Sequence, residues 1–111
     1  MKTKDILQLV IKMGMEADFR GKEGVQKFLD NKKKKFEKLS PKEQEEFDKD
    51  ALENPYLDSG VYNIADDKEI KRVLVGIDVG PEEILMAKEL GNIDLIIAHH
   101  PIGKGLAQLA D

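Results

Sequence analysis

The stretch "RVLVGIDVGPEEILMAKELGNIDLIIAHHP", residues 72–101, decides the fold. Its first block, Arg72 to Asp78, is mostly apolar and rich in β-branched residues. Charge precedes it and Gly80-Pro81 follows it, which predicts a strand. Gly80-Pro81 then opens a helix with Glu82 and Glu83 in its first turn, where the helix dipole favours acids. Ile84, Leu85, Ala87 and Leu90 recur at helical spacing and predict its buried face, and Gly91 is a stop. The block Asp94 to Ala98, "DLIIA", predicts a second strand. Strand, short helix and strand in this order predict a right-handed βαβ unit with parallel strands. Strands apolar on both faces suit a parallel sheet covered by helices.

The second strand runs directly into His99, His100 and Pro101, and these are the only histidines of the chain. The reading places them at the carboxyl end of a parallel strand, the edge where sites form in open α/β sheets. Asp78 ends the neighbouring strand and belongs to the same edge. Pro101 pushes His100 towards extended geometry, and successive extended residues point to opposite sides. The two imidazoles are therefore expected to diverge, reaching two nearby ions, or one ion and one substrate, rather than chelating one ion together. Imidazole suits zinc, iron, nickel and manganese, with carboxylates and water completing the shell. Two other readings stay open. A histidine at a strand end can be a hydrogen-bonded structural residue, and an aspartate before Gly-Pro is commonly a turn or cap residue.

Upstream, "VYNI", Val61 to Ile64, reads as a short edge strand. Before Pro55 the chain is helix and charge. Thr3 caps a first helix with Ile6, Leu7, Val10, Ile11 and Met13 at helical spacing and Gly14 as its stop. A second helix fits Gly21 to Leu39 with an apolar stripe of Val25, Phe28, Leu29, Phe36 and Leu39, and Lys32 in one apolar slot. In "SPKE", Ser40 caps a third helix, Pro41 takes its first turn and Glu43 closes a capping box. Phe47 and Ala51 face inward from that helix, and Asn54-Pro55 ends it. The organisation expected is a helical amino-terminal segment, 1–55, followed by a βαβ core, 56–111, that carries the His-His-Pro motif.

Composition narrows the function classes. The chain has 111 residues, 41% apolar and 36% charged, which fits one small folded domain or a piece of a larger one. No apolar run approaches the ~18 residues of a membrane span, and the charged start "MKTKDILQLVIKMG" is no signal peptide. Cysteine is absent, which removes disulfides and thiolate metal sites and makes the cytoplasm the default location. "KKKK", Lys32 to Lys35, invites a nucleic-acid reading, but residues 21–50 hold nine lysines against eight acidic residues. Four consecutive helical residues also spread around the helix, so the run reads as a solvated face. With a net charge of −4, nucleic acid is not an expected partner. "GIDVGPEE" lacks the spacing of a phosphate-binding glycine loop.

The run "RVLVGIDVGPEEILMAKELGNIDLIIAHHPIGKG", residues 72–105, resembles the amino-terminal core of the Nif-three-like proteins, also called GTP cyclohydrolase I type 2-like or dinuclear-metal-centre proteins. The most specific block is "DLIIAHHP"; the helical first half is similar to an amino-terminal extension of one bacterial branch. The resemblance implies a larger α/β domain repeated by pseudo-symmetry, and homo-oligomeric rings with metal sites facing an interior. It implies two divalent metal ions per site, with His99 and His100 as ligands, and leaves zinc, iron, manganese and nickel undistinguished. Asp78 matches a strand-end aspartate of the family that is not a direct ligand. The family's remaining ligands lie further along the chain and have no counterpart before Asp111. "PIGKG" stands where many members carry bulky apolar residues.

Two histidines fall short of the three protein ligands usual in a catalytic zinc site. A sheet of two strong strands also leaves an edge to be covered. Both features, and a tail "GLAQLAD" that reads as the start of a helix, predict a fragment of a longer protein or a chain completed by oligomerisation. The function expected is the amino-terminal part of a metal-dependent hydrolase acting on a nucleotide or phosphoester, inactive as this chain alone. The alternatives are a non-catalytic metal-binding scaffold or regulatory partner, and a purely structural interaction domain. No membrane partner is expected.

Overall fold

The computed structural model describes residues 1–56, 59–64 and 66–101, with the backbone alone at Pro101. The chain divides into two compact units, one formed by Lys4–Ile64 and the other by Met1–Thr3 with the chain from residue 65 onward. The fold is mixed α/β: helices fill the amino-terminal half, and a βαβ unit follows.

In the helical half, α1 spans Thr3–Ala17, α2 Gly21–Glu37 and α3 Pro41–Glu46, and a 3₁₀ turn covers Lys49–Leu52. Val25 and Leu29 stand one turn apart on the same face of α2 and are the buried apolar side chains of the described residues. Leu7, Ile11 and Met15 of α1 line a cleft with Val25, Ala51 and Tyr56. Helix α1 takes Thr3 as its first residue rather than as its cap, and it does not stop at Gly14. A Cβ at Gly14 would lie 3.0 Å from Cε2 of Tyr56. The glycine there allows an aromatic ring to come close to a continuing helix, rather than breaking it.

A polar clamp follows α1. The Arg20 guanidinium donates to both carboxylate oxygens of Asp18, at 3.0 and 2.8 Å, and the Tyr56 hydroxyl donates to Asp18 at 3.0 Å. Arg20 holds the Asp18 carboxyl well below the usual carboxylate range. Burial, with the adjacent Asp18 charge, pushes the Tyr56 hydroxyl up. Lys32 occupies its apolar slot by setting its ammonium 4.9 Å from the centre of the Phe28 ring.

Ser40 caps α3 as its sequence predicts: its Oγ accepts from the Glu43 backbone N–H at 3.3 Å and donates to the Glu43 carboxylate at 2.9 Å. The helix ends at Phe47, well before Asn54-Pro55, because Phe47 turns to extended backbone. Its ring then meets that of Phe36 at 5.2 Å between centroids. Val61–Ile64 forms no strand. These residues are exposed, and among the described residues they join no sheet, without which a short apolar run gains nothing from extended geometry.

In the second unit, β1 spans Val73–Val79, α4 Pro81–Leu90 and β2 Leu95–Pro101. The strands are parallel, in a register that sets Val73 beside Leu95, Gly76 beside Ala98 and Asp78 beside His100. Gly91 ends α4 in the left-handed region, at φ 78°, where glycine carries no steric penalty. The Asp94 carboxylate accepts from the backbone N–H groups of Lys71 and Arg72, at 2.8 and 3.0 Å, and lies 3.2 Å from the Lys68 ammonium. In return the Asp94 N–H donates to the Arg72 carbonyl at 2.9 Å. This exchange pins the entrance of β1 to that of β2, and so sets the register that reappears at the other end.

The expected burial of α4 is corrected. Ile84, Leu85 and Leu90 are exposed, and Ala87 is half-buried. So are Val75 and Ile77 on the outer face of β1, while Leu74 and Gly76 on the alternate face are half-buried. One ten-residue helix beside two strands is too little surface to cover both faces of a parallel sheet. The segments "PIGKG" and "GLAQLAD" beyond Pro101 lie outside the described residues. Among the described residues, no helix is long and apolar enough to cross a membrane.

Candidate metal centre

The strand β2 runs further than its apolar core. Leu95 to Ala98 supply the apolar residues, and His99, His100 and Pro101 continue the same ladder against β1. The ladder extends to Val79 opposite Pro101, so both histidines stand at the carboxyl edge of a paired, parallel strand. Helix α4 starts from the same edge, immediately after β1. Its first turn is already occupied: the Glu83 carboxylate accepts from the Gly80 N–H at 2.8 Å. The helix's own acid thus takes the position where an anion would meet the helix dipole.

His99 is exposed and His100 half-buried. Their ring centroids are 4.2 Å apart, with the ring planes inclined by 38°. The expected divergence is therefore corrected. Alternation along a strand fixes the directions of the Cα–Cβ bonds, but each ring lies two rotatable bonds further out, and at a strand end there is room for both to turn together. Across the ladder, Nδ1 of His100 lies 3.4 Å from Oδ1 of Asp78. The sequence placed Asp78 on this edge but favoured a turn or cap role. The structure instead sets its exposed carboxylate against an imidazole. Among the described residues no carboxylate pairs with His99.

These side chains suit a first-row divalent cation in kind: two imidazoles, accessible and close together, with a carboxylate beside one of them. They do not suffice in number. Among the described residues, no group of three or more histidine, aspartate or glutamate side chains is arranged to hold an ion. Sequence reasoning missed Asp94, which positions the site from a distance through the register. Its signal was an aspartate immediately before an apolar strand, a position from which a carboxylate can accept the N–H groups at the entrance of the paired strand.

Asp78 one residue before the end of β1, its pairing with His100 across the ladder and the His-His-Pro edge together mark one end of the βαβ unit. The sequence matches the family model Duf34/NIF3 (NGG1p interacting factor 3) over residues 34–108, more than half of its 111 residues. The chain belongs to the Duf34/NIF3 family. No curated protein and no solved structure matches it. The Duf34/NIF3 match includes the whole βαβ unit and both histidines, and begins within α2. The first helix and the Asp18–Arg20–Tyr56 clamp lie at least partly outside it.

Proposed function

We propose that this Duf34/NIF3 chain contributes the amino-terminal share of a two-metal site, with His99 and His100 as its ligands. The observation that carries the reading is the spacing of the two rings, 4.2 Å between centroids at the carboxyl edge of the sheet. Paired ions in two-metal sites lie about 3.5–4 Å apart, so two side-by-side imidazoles suit one ligand for each ion. Further ligands come from beyond the described residues or from another copy of the chain. Divalent ions in such a site supply an activated water and charge stabilisation on a phosphoryl oxygen or a polarised ring carbon. The chain's own part is to hold and orient: β1 and β2 fix the edge, and the imidazoles present nitrogen lone pairs from it. The activity proposed is metal-dependent hydrolysis of a nucleotide or phosphoester in a homo-oligomer, with zinc, iron, manganese and nickel as candidate ions.

A non-catalytic metal-binding scaffold is the second reading. It is favoured by the exposed apolar faces of β1 and α4 and by there being, among the described residues, no second carboxylate beside the imidazoles to act as a general base. The test begins with elemental analysis and Co²⁺ titration of the wild type, His99→Ala and His100→Ala. Bound metal in the wild type and its loss in each variant is the expected result. Unchanged metal content in both variants, or no binding by the wild type at millimolar Co²⁺, sinks the two-metal reading. Turnover of a nucleotide and phosphoester panel that rises with metal content separates the hydrolase from the scaffold.

A further inference from the structure

We infer that Asp78 is a positioning residue that selects which nitrogen of His100 is offered to a ligand; the inference rests on the two-metal reading for its consequence, but not for its geometry. The ladder places Asp78 directly beside His100, and the nearest approach is from Oδ1 to Nδ1, at 3.4 Å. A carboxylate is an acceptor only, so the hydrogen facing it belongs on Nδ1 of the neutral ring. A neutral imidazole carries one N–H, and the proton on Nδ1 leaves Nε2 as the lone-pair nitrogen. A carboxylate behind a ligating histidine also raises the basicity of the ligating nitrogen and restrains the ring. The present separation is slightly long for a hydrogen bond, as is common before a ligand tightens a site.

His99 supplies the internal contrast. It stands next along the same strand, with its ring beside that of His100, but among the described residues no carboxylate faces it. The surroundings of the two imidazoles thus differ: a carboxylate faces Nδ1 of His100 and biases it towards one tautomer, and among the described residues no carboxylate biases His99. The register explains why Asp78 can do this from the neighbouring strand. The Asp94 bonds to Lys71 and Arg72 set the strand pairing at one end, and Asp78 meets His100 at the other.

The deciding measurement is the ¹⁵N signature of the two imidazoles in the metal-free 111-residue chain, at a pH where both rings are neutral. In the wild type, His100 carries its hydrogen on Nδ1 while His99 shows the mixture of a free ring. Asp78→Ala moves His100 to the same mixture and leaves His99 unchanged, and Asp78→Asn, whose amide oxygen still accepts, restores part of the preference. A Co²⁺ titration then reads the consequence: Asp78→Ala weakens binding about 10–100-fold, whereas His100→Ala abolishes the site. A His100 ring that carries its hydrogen on Nε2 in the wild type, or that ignores Asp78→Ala, overturns the inference even if metal binds and His100→Ala loses it. Metal binding that survives His99→Ala and His100→Ala overturns the two-metal reading instead, whatever the tautomer.

Discussion

Val25 and Leu29 of the helical unit are 1% and 8% exposed, whereas Val75 and Ile77 of the βαβ unit are each 70% exposed. The residue types are alike; what differs is the geometry available to cover them. Helices joined by short turns can fold their apolar stripes onto one another within a few dozen residues. Parallel strands need cover on both faces, and two strands with one crossover helix leave one sheet face and much of the helix open. The half that encloses Val25 and Leu29, though it leaves Val10, Met13 and Phe19 exposed, carries a polar clamp and, among the described residues, no candidate metal site. The half that leaves Val75 and Ile77 outside carries the histidine edge. In this chain the candidate chemistry therefore sits on the element with the least cover of its own, and the comparison can be broken at either end.

The largest expected effect is on the covered side. Leu29→Ala removes a branched side chain from the most enclosed part of α2 and leaves a cavity beside Val25. Its cost is expected at about 2–5 kcal/mol, read as a fall in the urea midpoint followed by far-ultraviolet circular dichroism. In a unit this small that is a large share of the whole stability. A cost below about 1 kcal/mol would mean that Leu29 is not enclosed in solution, and the contrast between the two units would collapse.

The second effect is conditional on acid and sits at the joint of the strand pair. The Lys71 and Arg72 N–H groups, with the Lys68 ammonium, lower the Asp94 carboxyl from 3.8 to about 2. The unfolded chain thus takes up this proton before the folded one does. The contribution is fully present above pH 3.8 and fades as the pH falls towards about 2. Asp94→Asn is expected to lower stability at neutral pH and to lose less than the wild type when urea midpoints are compared at pH 5 and pH 2.5. If the register is set here, the same variant also loosens the Asp78–His100 approach, visible as a weaker tautomer preference at His100. Equal acid losses in the two proteins would show that Asp94 does not hold the strand entrances together.

How much of this was legible in the sequence follows from the same contrast. The strands, the crossover helix and its Gly91 stop were readable because local signals agree there: β-branched runs, Gly-Pro, acids in the first turn and a glycine at the end. The cap at Ser40 was readable for the same reason. The errors fall where a distant residue decides. Gly14 looked like a stop because Tyr56, which packs against it, is far along the chain. Val61–Ile64 looked like a strand because its pattern says nothing about whether another strand lies beside it; among the described residues it joins no sheet. Ile84, Leu85 and Leu90 have the periodicity of a buried face, and periodicity records what a helix offers, not what arrives to cover it. At the site, the sheet edge and the shared position of Asp78 were legible. The turning of both rings towards each other was not, because side-chain rotation is not written in strand alternation.

The smallest expected effect tests the uncovered side. Ile77→Thr keeps a β-branched residue on β1 and removes only apolar character from a side chain that is 70% exposed. If the face is as open in solution as it is here, the change is expected to stay within about 0.5 kcal/mol. If another surface covers that face, the threonine hydroxyl is buried without a partner, and the cost rises to about 1–3 kcal/mol. Protein concentration then identifies the cover. A penalty that grows as the protein is concentrated over the range where it self-associates belongs to a second copy, because only the associated form contains the buried hydroxyl. A penalty that ignores concentration belongs to the same chain, and would mean that the open sheet face of the βαβ unit is closed from within.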